Sequence, residues 1–151
     1  IDDFKLGLAK TFGATHTVNS KGDEAVVKTL RKLTDGGADY AFECVGSGDL
    51  AATAYGVLRK GGQAVVVGVA RAKETTTLRT ASLTFEEKSI GGSYFGSARP
   101  RVDAPRILGL YKAGKLKLDE LITRTYPISE APQAFADMQA GRNARGVIVF
   151  D

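Results

Sequence analysis

The stretch Tyr-Ala-Phe-Glu-Cys-Val-Gly-Ser-Gly, residues 40–48, holds most of the side chains in this sequence that could do chemistry. Glu43 interrupts an apolar run, Cys44 is the only cysteine, and Gly46-Ser47-Gly48-Asp49-Leu50-Ala51 makes a G-x-G-x-x-A pattern. Where such a pattern joins a strand to a helix, the glycines let backbone N–H groups approach a phosphate or a ribose, and the helix start favours negative charge. The same residues also make a plain glycine-rich turn with no ligand, and both readings stay open. Glu43 stands near the end of its run, where it is either a functional buried carboxylate or an acceptor for nearby backbone amides; the second role is the simpler. Cys44 has no second Cys or His beside it to activate a thiolate, so it is expected as a small buried hydrophobe. His16, the only histidine, is expected at the surface or a strand edge. One Cys and one His cannot build a zinc site of the usual type or an intrachain disulfide. Neither a phosphate loop of the G-x-x-x-x-G-K-[ST] type nor a G-x-S-x-G nucleophile elbow is present.

Apolar spacing predicts the elements that would carry these residues. Residues 4–12 place Phe4, Leu6, Leu8, Ala9 and Phe12 mostly three and four apart, a helix that Gly13 ends. Residues 15–19 are short and β-branched, a strand. A helix over about 22–32 comes next, with Ala25, Val26, Thr29, Leu30 and Leu33 along one face. Residues 40–45 and 63–69 are nearly continuous apolar runs, the pattern of strands covered on both faces, and a helix over 50–58 lies between them, closed by Arg59-Lys60-Gly61-Gly62. Short loops and strand–helix–strand alternation predict a parallel sheet. Further on, 83–89 reads as a short strand or turn and 90–96 as a strand. A helix is expected over 104–113 with Pro105 in its first turn. Ser129 is expected to cap a helix running to Gln139, with Phe135 and Met138 buried and Gly141 at its end. Residues 147–150 close the chain as a strand, giving about five strands and five helices.

Composition bounds the function. The 151 residues weigh 16.0 kDa, with 43% hydrophobic and 25% charged residues and a mean hydropathy of -0.11, values of a globular chain rather than a disordered one. A chain of this length buries roughly two-thirds of its unfolded surface. Its net charge of +4 is interspersed and forms no basic tract, so no nucleic-acid partner is expected. The longest apolar runs, 64–70 and 146–150, fall short of the roughly 20 residues a membrane helix needs, so no membrane partner is expected either. No signal peptide opens the chain, and a reducing, cytoplasmic setting is expected. The first residue is Ile1 rather than Met, which suggests a trimmed, processed or partial chain.

Several segments together resemble the C-terminal half of zinc-dependent, medium-chain alcohol dehydrogenases, nearest to the class III and bacterial NAD-linked branch. They are residues 9–19 (AKTFGATHTVN), 39–46 (DYAFECVG), 58–69 (LRKGGQAVVVGV), 92–96 (GSYFG), 118–123 (LDELIT) and 141–150 (GRNARGVIVF), in the family's order. The resemblance implies a Rossmann-like parallel sheet with helices on both faces, lacking the first strand, the glycine fingerprint and the second strand. It divides the chain into a partial dinucleotide-binding domain, 1–96, and C-terminal helices and a strand, 97–151, that return toward a catalytic domain. The implied activity of the intact enzyme is hydride transfer between an alcohol or aldehyde and NAD, with zinc held by ligands outside this chain, which alone would be inactive. By position, Lys5 matches a lysine beside the adenosine ribose, while Val45 and Gly46 match the wall of the adenine pocket. Ser47 departs from the arginine often found next. Val67, Gly68 and Val69 match the residues around the nicotinamide, Phe95 an aromatic position whose backbone contacts the carboxamide, and Arg145 an arginine reaching the pyrophosphate. Subunits of the family pair through the strand near 90–96, which implies a homo-oligomer. A zinc-free quinone oxidoreductase and a Rossmann-like interaction module without nucleotide are the alternative readings.

Overall fold

The computed structural model describes residues 2–21 and 25–150. The helix expected over 22–32 therefore begins outside the described residues, and its remainder forms helix α2. Contacts divide the chain into two compact units, one built from Val18–Ala98 and the other from Asp2–Thr17 together with Arg99–Asp151.

The first unit is a three-stranded parallel sheet with flanking helices. In chain order it contains α2 (Val26–Leu33), β1 (Ala38–Glu43), α3 (Gly48–Gly56), β2 (Leu58–Val66), α4 (Thr80–Phe85) and β3 (Ser89–Gly92). The strand order is β1-β2-β3, with Phe42 opposite Val65 and Val65 opposite Gly91. All three strands run the same way because α3 and α4 each carry the chain back before the next strand begins, as a right-twisted sheet favours. The core is small: Tyr55 of α3 packs with Leu58 and Ala64 of β2, and Ala41, Ala54, Leu78, Leu83 and Ile90 close around them. Two boundaries move. Arg59–Gly62 do not close α3 but belong to β2, where the register skips between Ala38 opposite Leu58 and Tyr40 opposite Gln63. Residues 83–85, expected as strand or turn, finish α4 instead.

The second unit has α1 (Asp3–Thr11), α5 (Pro100–Lys112), β4 (Ile122–Pro127), α6 (Ala131–Gln139) and β5 (Arg145–Val149), with β4 and β5 parallel. Asp2 caps α1, its carboxylate accepting the amides of Phe4 at 2.9 Å and Lys5 at 3.3 Å. Here the sequence expectations need four corrections. Residues 15–19 form no strand: no strand of the described residues runs alongside them to make a ladder. The fifth strand is β4, whose Ile-Thr-Arg-Thr-Tyr run has too few apolar residues to stand out by pattern. Helix α5 begins at Pro100, so Pro105 sits inside it rather than in its first turn. Ser129 lies in a short 3-10 turn and does not cap α6, while Phe135 and Met138 are exposed and Asp137 is the buried residue of that helix.

Candidate functional site

Because β1, β2 and β3 are parallel, their C-terminal ends share one edge of the first sheet. In open α/β sheets that edge is where ligands sit. Val45 and Gly46 follow β1, Val67, Gly68 and Val69 follow β2, and Phe95 follows β3, so the structure brings six of the sequence-derived residues to this edge. Lys5 and Arg145 belong to the second unit. Lys5 is half-buried on α1 with its ammonium beside Gly141, and Arg145 is exposed at the start of β5.

The two loops after β1 and β2 touch through backbone rather than through side chains. Gly46 has a φ of +89°, and a Cβ there would strike the carbonyl of Val69. A Cβ on Gly68 would strike the amide nitrogen of Gly46 and the carboxylate of Glu43. Glycine at both positions is thus demanded by a close backbone crossing. The side chains beside it point outward: Val45 is 72% exposed, Val67 41% and Val69 85%. Val45 borders a cavity with Leu30, Phe42, Leu50 and Val57, and Val67 and Val69 are not among the residues that line it.

Glu43 holds the crossing together. Its carboxylate accepts the Val45 amide at 2.7 Å and the Gly46 amide at 2.8 and 3.0 Å. Its backbone carbonyl accepts the amides of Val67 at 2.7 Å and Gly68 at 3.0 Å. Glu43 is 4% exposed, and the backbone-acceptor role expected for it is the one observed. Cys44 is exposed, not buried, because β1 ends at Glu43 and the chain turns outward there.

The G-x-G-x-x-A turn is occupied by the protein itself. The amide of Gly48 donates to Glu74 Oε1 at 3.0 Å, and a Cβ on Gly48 would strike the Thr75 carbonyl. Ser47 caps α3, accepting the Leu50 amide at 3.5 Å. The N–H that a phosphate would need is therefore taken by a carboxylate from a later loop, an arrangement with no signature in local spacing. This favours the ligand-free reading of the turn.

Beyond β3 the backbone is unusual at a predicted site residue. Phe95 and Ser97 carry φ of +51° and +52° on either side of Gly96, and a bulky residue in the left-handed region is strained. The Tyr94 and Phe95 rings meet edge to face with centroids 4.6 Å apart, and Phe95 is 79% exposed. Backbone strain of this kind is often retained where a residue is presented to a ligand.

The strongest electrostatics lie in the second unit, and the sequence reading missed them. Asp137 is fully buried and accepts hydrogen bonds from Tyr126 Oη at 2.8 Å, Gln133 Nε2 at 2.8 Å, Arg124 Nη1 at 2.8 Å and Arg142 Nη1 at 2.9 Å. The Tyr126 hydroxyl, followed by Gln133 and the two guanidinium groups, holds the Asp137 carboxyl below its ordinary value near 3.8 against the opposing effect of burial. Burial first, and then the bond to Asp137, pushes Tyr126 above its ordinary value. Asn143 Nδ2 completes the network by donating to Tyr126 Oη at 3.0 Å. Both oxygens of the carboxylate are satisfied by donors from its own unit, which is the pattern of an anchor between α6 and β4. The four-residue spacing of Gln133 and Asp137 was the one local hint.

Among the described residues no group of three or more His, Cys, Asp or Glu could hold a metal ion, and no helix is long and apolar enough to cross a membrane. A zinc ion therefore does not fit the described residues.

Known proteins share this sequence pattern and fold. Residues 1–111 match the family model described as zinc-binding dehydrogenase. The chain is 39% identical over 149 residues to the NDMA-dependent alcohol dehydrogenase of Amycolatopsis methanolica, covering 97% of this chain and 40% of that protein. It is 34% identical over 157 residues to the S-(hydroxymethyl)glutathione dehydrogenase of Paracoccus denitrificans, covering 99% and 42%. The crystal structure of benzyl alcohol dehydrogenase from Acinetobacter calcoaceticus superposes with a TM-score of 0.92 at 32% identity, covering 100% of this chain and 41% of that one. The chain thus spans about 40% of the length of the relatives it matches.

Proposed function

This chain belongs to the zinc-binding dehydrogenase family, and on that premise we propose that it forms the nicotinamide side of the cofactor cleft in an NAD-dependent alcohol dehydrogenase. The reaction of the intact enzyme is the interconversion of a small alcohol and its aldehyde. The bound dinucleotide supplies the hydride chemistry, and the residues of this chain bind and orient it. Residues 1–96 act as a partial dinucleotide-binding domain, and 97–151 return toward a catalytic domain.

The observation that carries this reading is the close backbone crossing of the loops after β1 and β2 at the C-terminal edge of the first sheet. The tips of β1 and β2 are locked backbone to backbone, leaving Val45, Val67 and Val69 uncovered. In the proposed roles Val67, Gly68 and Val69 line the nicotinamide, with backbone groups reading its carboxamide, and the strained Phe95 presents its backbone to the same group. Val45 and Gly46 form the adenine wall. Lys5 donates to a ribose hydroxyl, and Arg145 pairs with the pyrophosphate, a contact suited to a planar guanidinium. Zinc in the intact enzyme is held by other residues, and no step of the chemistry is assigned here to Cys44 or His16.

The outer edge of β3 has no neighbouring strand among the described residues, which supports a homo-oligomer joined near residues 90–96. The proposed setting is cytoplasmic, with no nucleic-acid or membrane partner. Titration with NADH, followed by fluorescence and calorimetry, tests the cofactor assignment. Saturable binding with quenched or shifted nicotinamide emission is expected; no saturable heat at millimolar NADH overturns the assignment for this chain. One observation favours a second reading, a Rossmann-like module without nucleotide: Glu74 already occupies the Gly48 amide. A zinc-free quinone oxidoreductase would share this cleft half, and cysteines and histidines elsewhere in the enzyme distinguish it.

A further inference from the structure

Glu43 is a buried acid that the proposed chemistry does not use, and its contacts are unlike those of the residues around it. One residue accepts four main-chain amides, two on each of the loops that meet at the sheet edge, at 2.7 to 3.0 Å. Its backbone carbonyl reaches across to β2 in the manner of a continuing parallel ladder, while its side chain folds back on its own loop. The carboxylate therefore does for Val45 and Gly46 what a ligand anion would do, and it leaves their amides with no need of one. A carboxylate held by main-chain donors makes stronger and shorter bonds than a neutral acceptor would. The fit is also closed from the opposite side, since a Cβ on Gly68 would strike both Gly46 and the Glu43 carboxylate.

We propose that Glu43 is a positioning residue for the cofactor: it fixes the Val45–Gly46 and Val67–Gly68 backbones in one registry, so that this edge of the sheet keeps its shape whether or not a dinucleotide is bound. The inference rests on the cofactor assignment above. Glu43 touches no reacting atom and acts only through the loops it ties. Removing its acceptors while keeping its volume frees the Val45 and Gly46 amides, and the loop after β1 then moves independently of the loop after β2.

The test compares the full chain with Glu43→Leu and Glu43→Gln by residue-resolved amide hydrogen exchange and by NADH titration. In Glu43→Leu, exchange at Val45 and Gly46 is expected to rise about tenfold or more, with Ala64 in the sheet core unchanged, and NADH affinity to fall by about tenfold or more. Glu43→Gln keeps one acceptor oxygen for the two amides and is expected to restore most of both. Gly68→Ala pries the same crossing from the other loop and should reproduce the local exchange signature, which keeps the proposal open to refutation if Glu43→Leu fails to fold. Wild-type exchange rates in Glu43→Leu and Gly68→Ala, or NADH affinity equal to wild type in a loosened Glu43→Leu, overturns the role of Glu43. A wild-type chain that binds no NADH overturns the cofactor assignment, and the positioning role with it, whatever the exchange shows.

Discussion

Asp137 shows how a single residue outside the candidate cleft governs part of the molecule's stability. Its carboxyl sits below the ordinary value because the Tyr126 hydroxyl and then Gln133 donate to the ionised form. A folded-state value below the unfolded one means that the contribution is complete above the ordinary value near 3.8 and is lost as pH falls through the lower folded value. Asp137→Asn should therefore melt at a clearly lower temperature than wild type at pH 7. The gap should close as pH falls below about 4, where the unfolded chain takes up the proton first. Thermal melts followed by circular dichroism at pH 7 and pH 3 check this, and a gap independent of pH would show that the ionised carboxylate is not the source. Little of this was readable beforehand: Asp137 lies among Phe135 and Met138, and apolar character alone assigned burial to the wrong side chains of α6. A buried carboxylate ringed by two guanidinium groups, an amide and a phenol depends on partners up to thirteen residues away, beyond what spacing reveals. Glu43, by contrast, was legible, because a single charge within an apolar strand run has few ways to be satisfied.

Among the elements, strand β1, the 63–66 part of β2 and helix α3 were legible, since they arise from apolar runs bounded by glycine, and the parallel pairing from the length of chain between them; the start of β2 at Leu58–Gly62, charged and glycine-rich, was not. Residues 15–19 have equally good strand composition but make no ladder, since β structure depends on a neighbour as well as on local preference. Pro105 shows the converse: the flanking helix tolerates a missing N–H, and α5 runs through it from Pro100 to Lys112. What holds the first unit is packing at one strand start. Leu58 is fully buried and sits where α3 gives way to β2, against Tyr55. Leu58→Ala should cost about 2–5 kcal/mol, the range for truncating a core leucine, a large share of the stability of a small unit. Urea unfolding should show a lower midpoint at unchanged slope; a midpoint equal to wild type would mean that the core lies elsewhere.

For the whole chain, surface area is the telling quantity. The accessible surface is 11303 Å², whereas two separate compact units of these sizes would expose only about 9,000 Å² together. Part of the excess is apolar: Tyr40 and Phe42 on β1, Phe85 at the end of α4, and Phe135 and Met138 on α6 all stand in solvent. With both outer edges of the β1-β2-β3 sheet unpaired among the described residues, such surface invites other chains. Sedimentation velocity across the micromolar range should show concentration-dependent self-association, and a single monomeric species with one cooperative melt would contradict it.

The meeting of the loops after β1 and β2 is carried by the main chain rather than by the valines beside it. Since the contact is made by peptide groups and by Glu43, the exposed side chains of Val45 and Val69 add little to it. Polar residues at positions 45 and 69 should therefore leave the melting temperature close to that of the wild type, which thermal melts check.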